Sequence, residues 1–126
     1  MLEMITEIHA RFANTALLYF LAVSLWGYFR FFRKQGISSA YWGALAIAEL
    51  LVIAEALLGG YLWINGLRPA RGIHVLYGAL IPLLIPGAYL YTKGQGGQRD
   101  ALIYGTAAII TVGLILRASY TGQIVP

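Results

Sequence analysis

Four charge-poor stretches, separated by short basic loops, take up nearly all of this chain, and few folds accept such a pattern. Residues 12–29 carry no charge after Arg11. Residues 35–67 lie between Lys34 and Arg68, residues 72–92 between Arg71 and Lys93, and residues 101–116 between Asp100 and Arg117. A helix of roughly 20 mostly apolar residues crosses a bilayer. In lipid, where no water satisfies the backbone, only helices and closed barrels survive. The pattern therefore predicts an all-α, integral membrane four-helix up-and-down bundle, forming one domain over residues 1–126.

The composition agrees. Of 126 residues, 60% are hydrophobic and 11% charged, which excludes disorder and disfavours a soluble domain. The net charge of +4 does not imply a nucleic-acid partner, because the basic residues sit at helix ends, as interfacial anchors do. No cysteine is present, which removes disulfides, thiolate metal sites and covalent c-type heme attachment. The first twelve residues hold Glu3 and Glu7 and lack a basic region before the apolar run, so the first helix is expected to serve as its own insertion signal. Arg30, Arg33, Lys34, Lys93 and Arg99 fall on one face of the bundle. Arg11, Arg68, Arg71 and Arg117 fall on the other, with Glu3 and Glu7. The positive-inside rule makes the first face cytoplasmic and turns both termini outward, in what is expected to be a prokaryotic plasma membrane.

Helix limits follow from local signals. The first helix is expected over residues 8–32, with Gly36 as the break and Ser38 or Ser39 as the next N-cap. The second runs to Trp63, where Asn65-Gly66 stops it. The third covers residues 73–91, bent at Pro82 and Pro86, and the fourth covers residues 101–119.

Both histidines lie at matching depths. His9 opens the first helix and His74 the third. Alternate helices of an up-and-down bundle run parallel, so both imidazoles belong near one membrane face and diagonally across the core. Ala13 and Gly78 each follow a histidine by four residues, on the same helix face, where a flat macrocycle needs small side chains. With no cysteine and no third histidine, a tetrahedral zinc site would need nearby carboxylates, whereas heme needs only two axial ligands from the protein. His9 and His74 thus fit one bis-histidine heme b. Arg11, Arg71 and Arg117, on the same side, suit its propionates. The plainer alternative is two solvated interfacial histidines and snorkelling arginines.

Longer motifs carry a family resemblance. Glu55-Ala-Leu-Leu-Gly-Gly-Tyr-Leu-Trp-Ile-Asn-Gly-Leu-Arg-Pro69, followed by Ile73-His74, resembles the Q-x-x-L-G-G…T-G-L-x-P run that precedes a heme-ligating histidine in the heme A synthase family. Ile8-His9-Ala-Arg11 resembles its other ligand segment. Gly113-Leu-Ile-Leu-Arg117-Ala-Ser-Tyr-Thr121-Gly122 looks like its G-x-x-V-R-x-T-G helix end. The resemblance covers most of the chain as one four-helix unit, where the family has two. It implies His9 and His74 as axial ligands, with Arg117 near the heme. The chain departs from the family at Thr6, where the family has its catalytic glutamate, and in lacking the outer-loop cysteine pair. It also has only one heme site to offer. The expectation is therefore a heme protein that is not a heme A synthase, or any enzyme, on its own.

Two acids lie within the second helix. Six residues separate Glu49 from Glu55, about 240° around a helix at ~100° per residue, so they face different ways. In lipid each must be protonated, paired or turned to a cavity. Glu55, a turn before Gly59-Gly60, is a candidate proton or quinone contact beside the heme, and Glu49 is a candidate contact with a partner subunit. The expected function is that of a small b-type cytochrome, for electron transfer or heme carriage in a homo-oligomer or a larger membrane complex. The alternative is a non-catalytic accessory subunit of a respiratory or photosynthetic assembly.

Overall fold

The structure, a computed structural model, describes residues 1–122 and 124–125, with no account of the side chains of Ile124 and Val125. Four helices are each long and apolar enough to cross a membrane: α1, Leu2–Phe32; α2, Ser39–Ile64; a broken third span, Ile73–Tyr91; and the last, Gln98–Thr121. The third span comprises α3 (Ile73–Leu80), a 3-10 turn (Ile81–Leu83) and α4 (Leu84–Tyr91), which makes the last helix α5. Proline explains the break. Pro82 has no N–H to give to the carbonyl four residues back and its ring crowds that turn, so the helix tightens there, as the sequence predicts.

Helix ends also follow local chemistry. Ser38 caps α2 through its side chain, which accepts from the Tyr41 N–H at 3.1 Å. At the other end Asn65 Nδ2 donates to the Tyr61 carbonyl at 2.8 Å, and Gly66 takes φ +88°. The first turn differs from expectation: Lys34, not Gly36, adopts the positive φ. Gly36 instead meets the third loop, its carbonyl accepting from Arg30 Nε at 2.6 Å, while Ile37 N donates to Gly96 O at 2.8 Å. Helices α1 and α5 begin before the sequence limits, at Leu2 and Gln98, because nothing in those polar first turns breaks a helix.

α1 packs chiefly along α5 and next along α2, while α3 and α4 lean on α5. In lipid no hydrophobic effect drives helices together, so close backbone approach and hydrogen bonds must. At the α1–α5 contact a methyl on Gly27 would come within 3.0 Å of Gly105 Cα and 2.6 Å of the Tyr41 hydroxyl. Ser24 Oγ donates to Gly105 O at 2.8 Å, and the fully buried Tyr41 hydroxyl donates to Val23 O at 2.9 Å. Such interhelical bonds are worth about 0.6 kcal/mol each on average. At most 33% of any span is buried within the protein, so the apolar exterior is left for lipid.

At the opposite end of the bundle the chain is drawn together near the histidines. A two-residue antiparallel pair joins β1 (Arg68–Pro69) to β2 (Ile124–Val125), with Arg68 opposite Val125, and Arg71 N donates to Thr121 O at 3.2 Å. This pairing is the one departure from an all-α chain.

Candidate functional site

His9, in the second turn of α1, and His74, in the first turn of α3, converge on one cavity of about 610 Å³ at this end of the bundle. Their ring centroids are 6.2 Å apart and their planes meet at 84°. Each ring is held from behind by a different helix. The His74 Nδ1 lies 2.8 Å from the Ala118 carbonyl, near the end of α5. A carbonyl only accepts, so the proton sits on Nδ1 and the neutral ring keeps its lone pair on Nε2. The His9 Nδ1 lies 3.1 Å from Glu55 Oε1, and both side chains are about one-fifth exposed, at 21% and 18%. That contact is close but bent away from ideal hydrogen-bond alignment, and neither atom has another partner among the described residues. A carboxylate also accepts, which again assigns the proton to Nδ1. Neither Nε2 is hydrogen-bonded among the described residues.

Glycines make the seats for both rings. A Cβ on Gly59, one turn beyond Glu55, would stand 3.1 Å from His9 Cε1. A Cβ on Gly122 would run into the His74 ring itself and lie 2.8 Å from Ala118 O. Gly78 and Ala13 line the cavity as the spacing predicts, and a Cβ on Gly78 would meet nothing within 4 Å, so that wall has room. Glu55 is in the lining too, on the face away from Glu49.

Comparison with family models, curated proteins and solved structures finds no match. What can be said of the site therefore rests on its own geometry.

The arginines do not join the site. Arg11, Arg71 and Arg117 are exposed, and none lines the cavity. Arg11 pairs with Glu7 one turn back, at 2.6 Å on the surface. Arg117 lies with its Cζ 5.9 Å from the centre of the Tyr120 ring. Thr6 does reach the cavity wall, but its hydroxyl donates to Leu2 O at 2.9 Å, and a hydroxyl cannot replace a carboxylate as a base near neutral pH. Among the described residues no three of His, Cys, Asp and Glu converge on one point.

Glu49 faces a separate, shallow groove of about 440 Å³ between α2 and α4, beside Trp42, Tyr89 and Tyr104. Its Oε1 is buried without a hydrogen-bond partner among the described residues.

The sequence leaves out the groups that orient the imidazoles. The Ala118 carbonyl is a backbone atom and carries no side-chain signal. Gly59 was legible only as part of a glycine pair, and Gly122 only as the end of a motif.

Proposed function

We propose that this chain is a small membrane cytochrome of the b type, holding one heme between His9 and His74 for electron transfer or as the heme-carrying subunit of a membrane complex. The observation that carries the reading is the spacing of two imidazoles, each anchored through Nδ1. Two rings joined in line through one metal have centroids about 6.4 Å apart, from about 2 Å per metal–nitrogen bond and about 1.2 Å from each nitrogen to its ring centre. The separation here is 6.2 Å. Metal-bound histidines nearly always give their other N–H to a carboxylate or a backbone carbonyl, and both arrangements occur in this pair. With no third protein ligand converging, a group held here must bring its own equatorial donors, as porphyrin does. The cavity falls within the usual ~300–1,000 Å³ of cofactor sites, and Gly59, Gly122, Gly78 and Ala13 keep its walls thin. The heme A synthase-like motifs support the same ligand pair.

Heme, when bound, supplies reversible one-electron chemistry. The chain's own part is to fix both imidazole tautomers, exclude water with apolar walls, and aim Nε2 of each ring as the donor. No guanidinium lines the cavity among the described residues, so the propionate role of the arginines draws no support from the geometry. The charge pattern of the loops supports an outward-facing site in a prokaryotic plasma membrane.

One observation favours the accessory-subunit reading in addition. The unpartnered Glu49 oxygen in an open groove suits a hydrogen-bond donor from a neighbouring subunit or a quinone.

Absorption spectra of the detergent-purified protein, oxidised and dithionite-reduced, test the proposal. The expected result is a low-spin b-type spectrum with sharp bands on reduction, lost or greatly weakened in His9→Ala and His74→Ala. Protein made with normal heme supply and showing no Soret band would refute it and leave the accessory subunit.

A further inference from the structure

The two histidines are backed by unlike groups, and we infer that Glu55 makes them electronically unequal and holds down the reduction potential of the site. This rests on the heme reading above. Behind His74 stands a neutral carbonyl, Ala118 O, at 2.8 Å. Behind His9 stands a carboxylate, Glu55 Oε1, at 3.1 Å. A hydrogen bond to an ionised acceptor is roughly twice as strong as one between neutral groups, and an acceptor behind a ligating histidine raises the basicity of the ligand. A more basic His9 donates more strongly to the metal and favours the higher oxidation state.

The charge acts in the same direction. Bound between two neutral imidazoles, ferric heme carries one more positive charge than ferrous heme, and a nearby anion stabilises that extra charge. The anion is not neutralised from elsewhere, since its only charged or titratable neighbours across the cavity wall are the two histidines. Arg11, the cation closest to His9 in sequence, is spent on Glu7. Water screens the pair only in part, because both side chains are about four-fifths buried. Burial keeps the local dielectric below that of bulk water, where an exposed pair would count for little.

Gly59 completes the device. It sits one turn beyond Glu55 and leaves 3.1 Å between a would-be Cβ and His9 Cε1, so α2 can press its carboxylate-bearing face against the ring. Glu55 is thus a tuning residue acting through His9, and it needs no contact with heme.

Redox titration of full-length E55Q, E55D and wild-type protein in the same detergent tests this. E55Q should keep heme and its low-spin spectrum while shifting the ferric-to-ferrous ratio at fixed potential at least tenfold toward ferrous, a rise of about 59 mV for one electron. E55D, which keeps the charge, should titrate close to wild type. An unchanged or lowered E55Q midpoint with an intact spectrum overturns the inference. So does an E55D midpoint displaced as far as that of E55Q, since charge would then not be the cause. If E55Q sheds its heme, E55D alone decides by the same criterion, and loss of heme from both assigns Glu55 a purely structural role and overturns the inference. A wild-type protein without heme fails the underlying cytochrome reading instead, a separate and visible result.

Discussion

Replacing Gly122 with alanine puts one methyl group where the His74 ring now sits. The backbone behind it cannot retreat freely, because the same methyl would also stand 2.8 Å from Ala118 O, the atom that holds His74 in place. The ring must therefore move and give up its Nδ1 bond, at a loss of about 1 kcal/mol. Fitting an extra carbon into a packed site adds about 1–3 kcal/mol. The sum, about 2–4 kcal/mol, weakens heme binding roughly 30- to 700-fold. Hemin titration of purified apoprotein, followed by the Soret band, reads this directly. Gly43→Ala is the control, since a methyl there meets nothing within 4 Å, and it should bind like wild type. A Gly122→Ala protein with wild-type affinity and an unchanged low-spin spectrum would refute the claim that Gly122 seats His74.

Three further outcomes follow from the packing. Tyr41→Phe deletes a fully buried hydroxyl that donates to Val23 O, and should lower unfolding stability in detergent by about 1 kcal/mol with the heme spectrum unchanged. Glu49→Leu removes an unpartnered buried oxygen, so the isolated protein should be as stable as wild type or more so on thermal unfolding. A clear drop would mean that Glu49 has a partner within the chain. Arg117→Gln should leave the midpoint potential where it is, because the guanidinium is exposed over Tyr120 and water screens it. A lowered midpoint would return Arg117 to the site.

The fold was legible because lipid leaves a chain few choices. Once the charge-poor runs are long enough, four spans follow, and Ser38, Asn65-Gly66 and Pro82 mark the ends and the break through local backbone chemistry that needs no tertiary information. The histidine pair was legible for the same reason, since helix depth and alternation fix where His9 and His74 meet. The arginines misled because their side chains are long and their direction is set by neighbours. Yet the Glu7–Arg11 pair was readable from i, i+4 spacing alone. The opposite directions of Glu49 and Glu55 followed from helical periodicity, but which of them would meet His9 depended on how α2 is rotated against α1. The Ala118 carbonyl and the seats at Gly59 and Gly122 depend on backbone positions brought together from distant helices, and residue identity carries no trace of them.

Electron paramagnetic resonance of the oxidised, purified protein tests the central claim most directly, since it reports the axial ligands and their relative orientation together. With His9 and His74 both bound and their planes close to the 84° found here, the ferric protein should give a single low-spin signal of strong anisotropy, as perpendicular imidazole planes produce. The signal should account for one heme per chain and vanish in His74→Ala. A high-spin signal, a low-spin signal that survives loss of either histidine, or no heme signal at all would contradict the account.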